Sequence, residues 1–330
     1  MPRKGGSRIM GTNRIFIFLL LAFLASAAVT GPSTEDQRKY STTNMVALDS
    51  FIVSSGHLEG LSTSFNAQYI YYDIYLDTPD FTLFKNQYSL RFRKRNLGEA
   101  GVTYSLQLKS EMDTGSSVRM EVDEADLKLY KIKTATGWIT LTSALDVFFH
   151  QIETKSVDPT SAAIKNAIAN IQTWIAFKVG GTIAPFQKLS HLQLPGLDSV
   201  KMKTLSPVMF GSDTRKRSDV YIDTANTTAE LKKTEMNQVA SSGKSSFLQH
   251  HPGYNWIMET SLDSAIFYPL IPTIVKHSVV YEFEVENKYF LPETGSKIMD
   301  IFEAGLKKYF LCANEKDSKY CRSLKKFQGH

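Results

Sequence analysis

The chain has 330 residues, a formal net charge of +5 and 42% hydrophobic residues. That length allows one large domain or two small ones with a good core, and the composition is that of an ordinary globular protein. The mild basic excess suits an anionic ligand, but it is too small to argue for nucleic acid or a membrane surface as partner.

Arg3, Lys4, Arg8 and Arg14 precede an apolar run from Ile15 to Val29, which ends in the small residues Ala25-Ser26-Ala27-Ala28. Charge, a short apolar stretch and an Ala-x-Ala-like site form the secretory signal pattern. The expectation is a signal peptide over 1–30 and a secreted or lumenal protein, with a signal anchor as the alternative. The run falls short of the about 20 residues a spanning helix needs. No later segment is apolar enough to span, so no membrane contact is expected once the signal is removed. Residues 31–43 read as a linker.

The pattern predicts a first strand over Met45 to Ser54. Val46, Leu48, Ser50 and Ile52 fall on one face of it. From Tyr71 to Arg95 the chain reads strand, turn at Thr78-Pro79-Asp80, strand. Residues two apart in a strand share a face, so Arg91, Arg93 and Arg95 line up opposite Leu90 and Phe92. A row of guanidinium groups suits a phosphate-like anion, because arginine stays charged and bonds in pairs. The alternative is an edge strand with a solvated basic face. Two more alternating segments follow, Tyr104 to Lys109 and Val118 to Asp123, the second placing Arg119, Glu121 and Asp123 together. Four successive antiparallel strands with one apolar and one charged face predict a sheet curled into a barrel or tunnel.

Helical spacing marks Ala125 to Ile132, Ser143 to Ile152 and Ser161 to Phe177, and such helices would cover the outside of a curved sheet. Strands return at Ser206 to Asp223, with Arg215 and Arg217 on one face, at Ile257 to Asp263, and at Val279 to Lys288. Between the first two, 224–256 reads as a hairpin partner and a long loop. That loop carries an Asn226 glycosylation sequon and the His250-His251 pair, which reads as a solvated loop before a metal site. On the last strand Glu282, Glu284 and Glu286 share a face and need solvent, arginines or a divalent cation to relieve their repulsion. Gly295 to Cys312 predicts an amphipathic helix burying Ile298, Ile301, Phe302, Leu306, Tyr309 and Phe310. Cys312 and Cys321 flank a polar loop and read as a disulfide, or as two reduced thiols if the signal is absent. Residues 313–330 read as a tail.

The order of YYDIYLDTPDFTLFKNQYSLRFRKR, YSLQLKSE, VRMEVDE, TRKRSDVYID, METSLDSAIF and YEFEVENK resembles the CYTH family, or triphosphate tunnel metalloenzymes. This family includes class IV adenylate cyclases and thiamine triphosphatases. The resemblance covers about 44–310, inside a domain over 44–312. It implies an α+β fold, an eight-stranded antiparallel β tunnel with flanking helices. It implies that Arg91, Arg93, Lys109, Arg119, Arg215 and Arg217 bind a triphosphate- or polyphosphate-containing small molecule. It further implies that Glu121, Asp263, Glu282 and Glu284 hold Mg2+ or Mn2+, with Glu282 and Glu284 as the catalytic carboxylates. The family opens on a Glu-x-Glu-x-Lys strand. Aligned on Met45 to Ser54, its acidic positions fall on Val46 and Leu48 and its lysine on Ser50, so the motif is absent there. If that strand is shifted by one residue, Asp49 faces inward instead. Two functions follow: a metal-dependent triphosphate hydrolase, or a degenerate tunnel that binds phosphate ligands or serves as a scaffold. A cyclase is disfavoured, since no nucleobase pocket is evident.

Overall fold

The sheet begins earlier than the hydrophobic pattern predicts. In the computed structural model, which describes residues 33–54, 57–96, 101–110, 118–124, 127–134, 137–223, 254–287 and 292–330, the first strand is β1, Ser33–Thr42. It lies inside what reads as a linker. The segment expected to be the first strand is helix α1, Met45–Val53. Its apolar residues satisfy both periods: Met45, Leu48 and Ile52 also recur at helical spacing. Leu48 and Ile52 are buried, whereas Val46 is 82% exposed. Neither Val46 nor Leu48 therefore replaces a ligand in a tunnel. Asp49 does not face inward either; it accepts a hydrogen bond from Lys216 at 2.5 Å.

The other strands are β2, His57–Leu58; β3, Leu61–Asp77; β4, Tyr88–Asn96; β5, Val102–Ser110; β6, Val118–Glu124; the ribbon β7, Lys131–Thr134, with β8, Gly137–Thr140; β9, Ser206–Asp223; β10, Tyr254–Pro269; β11, Ser278–Asn287; and β12, Cys312–Asn314. The hydrogen-bonded path runs β11-β10-β9-β3-β4-β5-β6-β1, and β1 also pairs with β11, which brings the path back to its first strand. Eight strands thus surround a tunnel, and the strand pairs with a described register are antiparallel.

Helices α2, Thr82–Lys85; α3, Leu141–Glu153; α4, Ala162–Lys178; α5, Ala184–Leu192; α6, Ser199–Met202; α7, Pro292–Phe310; and α8, Lys319–Phe327 complete the chain. Helix α4 starts where its cap predicts, with the Ser161 hydroxyl accepting from the Ile164 amide at 3.3 Å. The predicted helix over Ala125 to Ile132 reduces to one 3-10 turn, Leu127–Leu129, before β7. Outward residues Leu90, Phe92, Leu106 and Leu108 pack with Phe148, Trp174 and Phe186 of the middle helices into one apolar cluster. A second cluster joins α1 and α7 to Val220, Met258, Phe283 and Val285 on the opposite side. Within α7 the inward set holds except for Tyr309, which is exposed.

Residues 313–330 are not a tail. They supply β12 and α8, and Tyr320, Leu324 and Phe327 of α8 sit in a third cluster with Tyr75 and Phe267. Cys312 and Cys321 are buried, each in a different cluster, and are not bridged to each other. The leader, the Asn226 sequon and the His250-His251 pair lie outside the described residues. Residues 34–330 form one compact unit. Among the described residues no helix is long and apolar enough to cross a membrane.

Candidate active site: a charged tunnel

Strand alternation sends every second residue inward, and inward residues of β1, β3, β4, β5, β6, β9 and β11, with the start of α8, line a cavity of about 400 Å3. Its lining includes Arg91, Arg93 and Arg95 from β4, Lys109 from β5, Arg215 from β9, Glu282, Glu284 and Glu286 from β11, and Lys319 from α8. Arginines and glutamates from segments nearly two hundred residues apart in sequence therefore share one interior.

A buried charge needs a partner, because desolvation costs several kcal/mol per ion. Arg93 and Arg91 are held accordingly, by Asp73. Arg93 makes a two-pronged pair with Asp73, 2.7 Å on each arm, and lies over the Tyr71 ring at 4.2 Å. Arg91 donates to Gln107 at 2.9 Å and to the Tyr75 hydroxyl at 3.1 Å, with Asp73 at 3.5 Å. Burial pushes the Asp73 carboxyl up, but Arg93 and Arg91 outweigh it and hold it down at about 2.

The acidic wall consists of Asp263 from β10 with Glu282 and Glu284, whose oxygens come within 4.8 Å of one another. Arg215 forks onto Asp263 at 2.8 and 2.6 Å and reaches Glu284 at 2.5 Å. Lys319 contacts Asp263, and lies 2.9 Å from Asp213 and 3.7 Å from Glu282. Arg322 pairs with Glu282 from the same helix. Lys39 of β1 approaches Glu282 at 3.7 Å and Glu284 at 4.0 Å. Burial raises the Glu282 carboxyl despite Lys39 and Lys319. For Glu284 burial acts the same way, yet Arg215, Lys319 and Lys39 win and hold it well below the usual carboxylate range. Burial would strip the Lys319 proton, but Asp213, Asp263 and Glu282 reverse that and keep it charged.

Of the predicted site residues, Arg91, Arg93, Lys109, Arg215, Glu282 and Glu284 line the cavity, and Asp263 is fully buried behind Arg215. Arg217 is turned to Glu259 instead. The side chains of Arg119 and Glu121 lie outside the described residues; Glu121 stands opposite Lys109 in the register. Sequence reasoning missed two contributors. One is β1, where Gln37 and Lys39 face the cavity opposite Glu286 and Glu284. The order Glu35-x-Gln37-x-Lys39 differs from the expected Glu-x-Glu-x-Lys pattern by a glutamine. The other is α8. Its Tyr320, Leu324 and Phe327 spacing was the available signal, and Lys319 precedes it.

The donor set suits a small divalent cation: three carboxylates supply hard oxygen ligands, and buried Glu282 Oε1 has no hydrogen-bond partner. The cations Lys39, Arg215, Lys319 and Arg322 already neutralise that cluster.

The CYTH domain family matches residues 50–148. No curated protein matches the chain by sequence. Among solved structures, a protein from Pyrococcus horikoshii OT3 is 13% identical, covering 88% of this chain and 99% of its own, with a TM-score of 0.39. A Bacillus halodurans protein named as an adenylate cyclase candidate is 12% identical over 88% of this chain and 98% of its own, TM-score 0.38. A Hippeastrum adenylyl cyclase candidate, described by a dominant triphosphatase activity, is 12% identical over 88% and 94%, TM-score 0.36. The matched segment runs from α1 to α3 and holds the arginine row of β4, and over that segment the chain is similar to a CYTH domain.

Proposed function

We propose that the tunnel binds the triphosphate or polyphosphate part of a small molecule. One observation carries this reading: the lining presents seven cationic side chains, Lys39, Arg91, Arg93, Arg95, Lys109, Arg215 and Lys319, against four carboxylates. Asp73, Asp213 and Asp263 behind the lining hold Arg93, Lys319 and Arg215 in place, and cations gathered in this way suit a compact polyanion, because charge-assisted bonds strengthen away from water. Its volume of about 400 Å3 lies within the usual small-molecule range.

A second reading adds hydrolysis of the phosphoanhydride bond. The Asp263, Glu282 and Glu284 cluster supports it, as the place where Mg2+ or Mn2+ would be held. When bound there, the cation would polarise a phosphoryl oxygen and offset its developing charge. Arg91 and Arg215 would orient the chain, and Glu284, kept ionised, can accept a hydrogen bond from an attacking water. The single glutamine at Gln37 and the cations crowding the cluster favour binding without turnover as the ground function. Taken with the expected leader, the proposal places the protein in the secretory lumen or outside the cell.

Titration of the protein with tripolyphosphate, followed by phosphate release with Mg2+ or Mn2+, separates these readings. Binding lost in Arg215→Ala supports the tunnel. Release abolished in Glu284→Gln supports hydrolysis. Absence of both binding and release refutes the proposal.

A further inference from the structure

We infer that the β7-β8 ribbon, together with the end of α4, is a docking surface for a phospholipid bilayer. In the ribbon Ile132 stands opposite Ile139, and both pack on the apolar cluster of the middle helices. Alternation turns Lys131, Lys133, Trp138 and Thr140 to the other face. There Lys131 and Lys133 are exposed, and Trp138 is 67% exposed. Just before the ribbon Leu129 is 79% exposed, and at the end of α4 Phe177 is 80% exposed.

Contacts between cations and rings tie these pieces into one surface. The Lys178 ammonium lies 5.3 Å from the centre of the Tyr130 ring and 5.2 Å from that of Phe177, which sets the end of α4 beside the start of the ribbon. Lys133 stands opposite Trp138 across the ribbon. Lys128 donates to the Val102 carbonyl at 2.8 Å and lies 5.9 Å from the Tyr104 ring. The carboxylates that touch the same two tyrosines have other partners as well. Glu124 accepts from the Tyr130 hydroxyl at 2.9 Å and from the Ala184 amide at 3.3 Å. Asp146 accepts from the Tyr104 hydroxyl at 2.7 Å and has Lys94 at 3.4 Å. Three large apolar side chains thus share a surface with four lysines.

That mixture matches the boundary layer of a bilayer. Aromatic rings settle at headgroup depth, and an ammonium reaches phosphate while its stem lies along apolar surface. A protein partner fits less well, because interface cores are depleted in lysine and here lysines interleave with the rings. Docking of this kind needs no spanning segment. It also involves so few side chains that the net charge of +5 does not reveal it.

The test is quenching of Trp138 fluorescence in the full chain by vesicles of brominated phosphatidylcholine, with and without phosphatidylserine. Trp138→Phe is the reference that isolates this indole from Trp174 and Trp256. The expected result is quenching of the Trp138 component, stronger with phosphatidylserine and weakened by salt. Lys131→Gln combined with Lys133→Gln should lower affinity for the mixed vesicles about tenfold. Leu129→Ser combined with Phe177→Ser should lower it about as much. An unchanged melting temperature checks that these surface variants are folded. Vesicle binding without Trp138 quenching, as the apolar run near the N-terminus would give, overturns the inference. Binding that both pairs of substitutions leave unchanged overturns it too, as does no binding at all. A Trp138 signal that shifts with protein concentration and not with lipid also overturns it, and assigns the face to a second copy of the chain.

Discussion

The two faces of β4 bury their side chains by opposite means. Outward, Leu90 and Phe92 are fully buried, with the Phe92 ring 5.8 Å from Trp174. Inward, Arg91 is 7% exposed and Arg93 is fixed to Asp73. The outer face stabilises the fold by apolar area removed from water. The inner face has no such gain: Arg91 and Arg93 are tolerated because both reach Asp73, and an ion pair of this kind offsets a desolvation cost more than it adds stability. The comparison separates scaffold from function, since a strand lined with arginine is kept for what it can hold.

Breaking the inner face should give the largest effect. Arg93→Ala leaves Asp73 buried with only Arg91 nearby and should cost about 3–5 kcal/mol in chemical unfolding. Phe92→Ala on the outer face should cost a similar amount, about 3–5 kcal/mol, through a cavity. Their second-site behaviour should differ. Adding Asp73→Leu to Arg93→Met should recover most of the inner loss, because both charges are then gone. A double variant no more stable than Arg93→Ala would show that the pair itself, and not an orphaned charge, holds the strand.

Acid should act on the inner face next. The folded Asp73 carboxyl is held at about 2, below its ordinary 3.8. A carboxyl depressed on folding contributes stability that is complete above its unfolded value and is lost as pH falls toward the folded one. Stability should thus drop by about 2 kcal/mol between roughly pH 4 and 2 on this account alone. Asp73→Asn should remove that part of the acid slope; an unchanged slope would place the acid sensitivity elsewhere. The smallest effect belongs to the outer layer: Ser161→Ala deletes the α4 cap and should cost about 1 kcal/mol by thermal melting, without changing anion binding.

How far the sequence was legible follows the same division. Strands whose outer residues are apolar, such as β4 with Leu90 and Phe92 or β11 with Phe283 and Val285, alternate plainly, and their inner charges could be placed from that pattern alone. Strand β1 reads STEDQRKYST; Gln37 and Lys39 face the cavity while Arg38 on the other side forms ion pairs with Asp300 and Glu303, so no apolar period marks it. Helix α1 carries both patterns: Met45, Leu48 and Ile52 fit a helix while the intervening residues also fit a strand, and burial against α7 decides the matter. The lysine deepest in the site, Lys319, hides in a basic C-terminal stretch that composition alone marks as surface. Its position is set by the packing of Tyr320, Leu324 and Phe327, which is a tertiary fact.

The most direct measurement of the central claim is a crystal structure of the protein with saturating tripolyphosphate. The account predicts phosphate oxygens inside the cavity, within hydrogen-bond distance of Arg91, Arg215 and Lys319, with the strand framework unchanged. An empty cavity, or tripolyphosphate bound only on the outer surface, would contradict it.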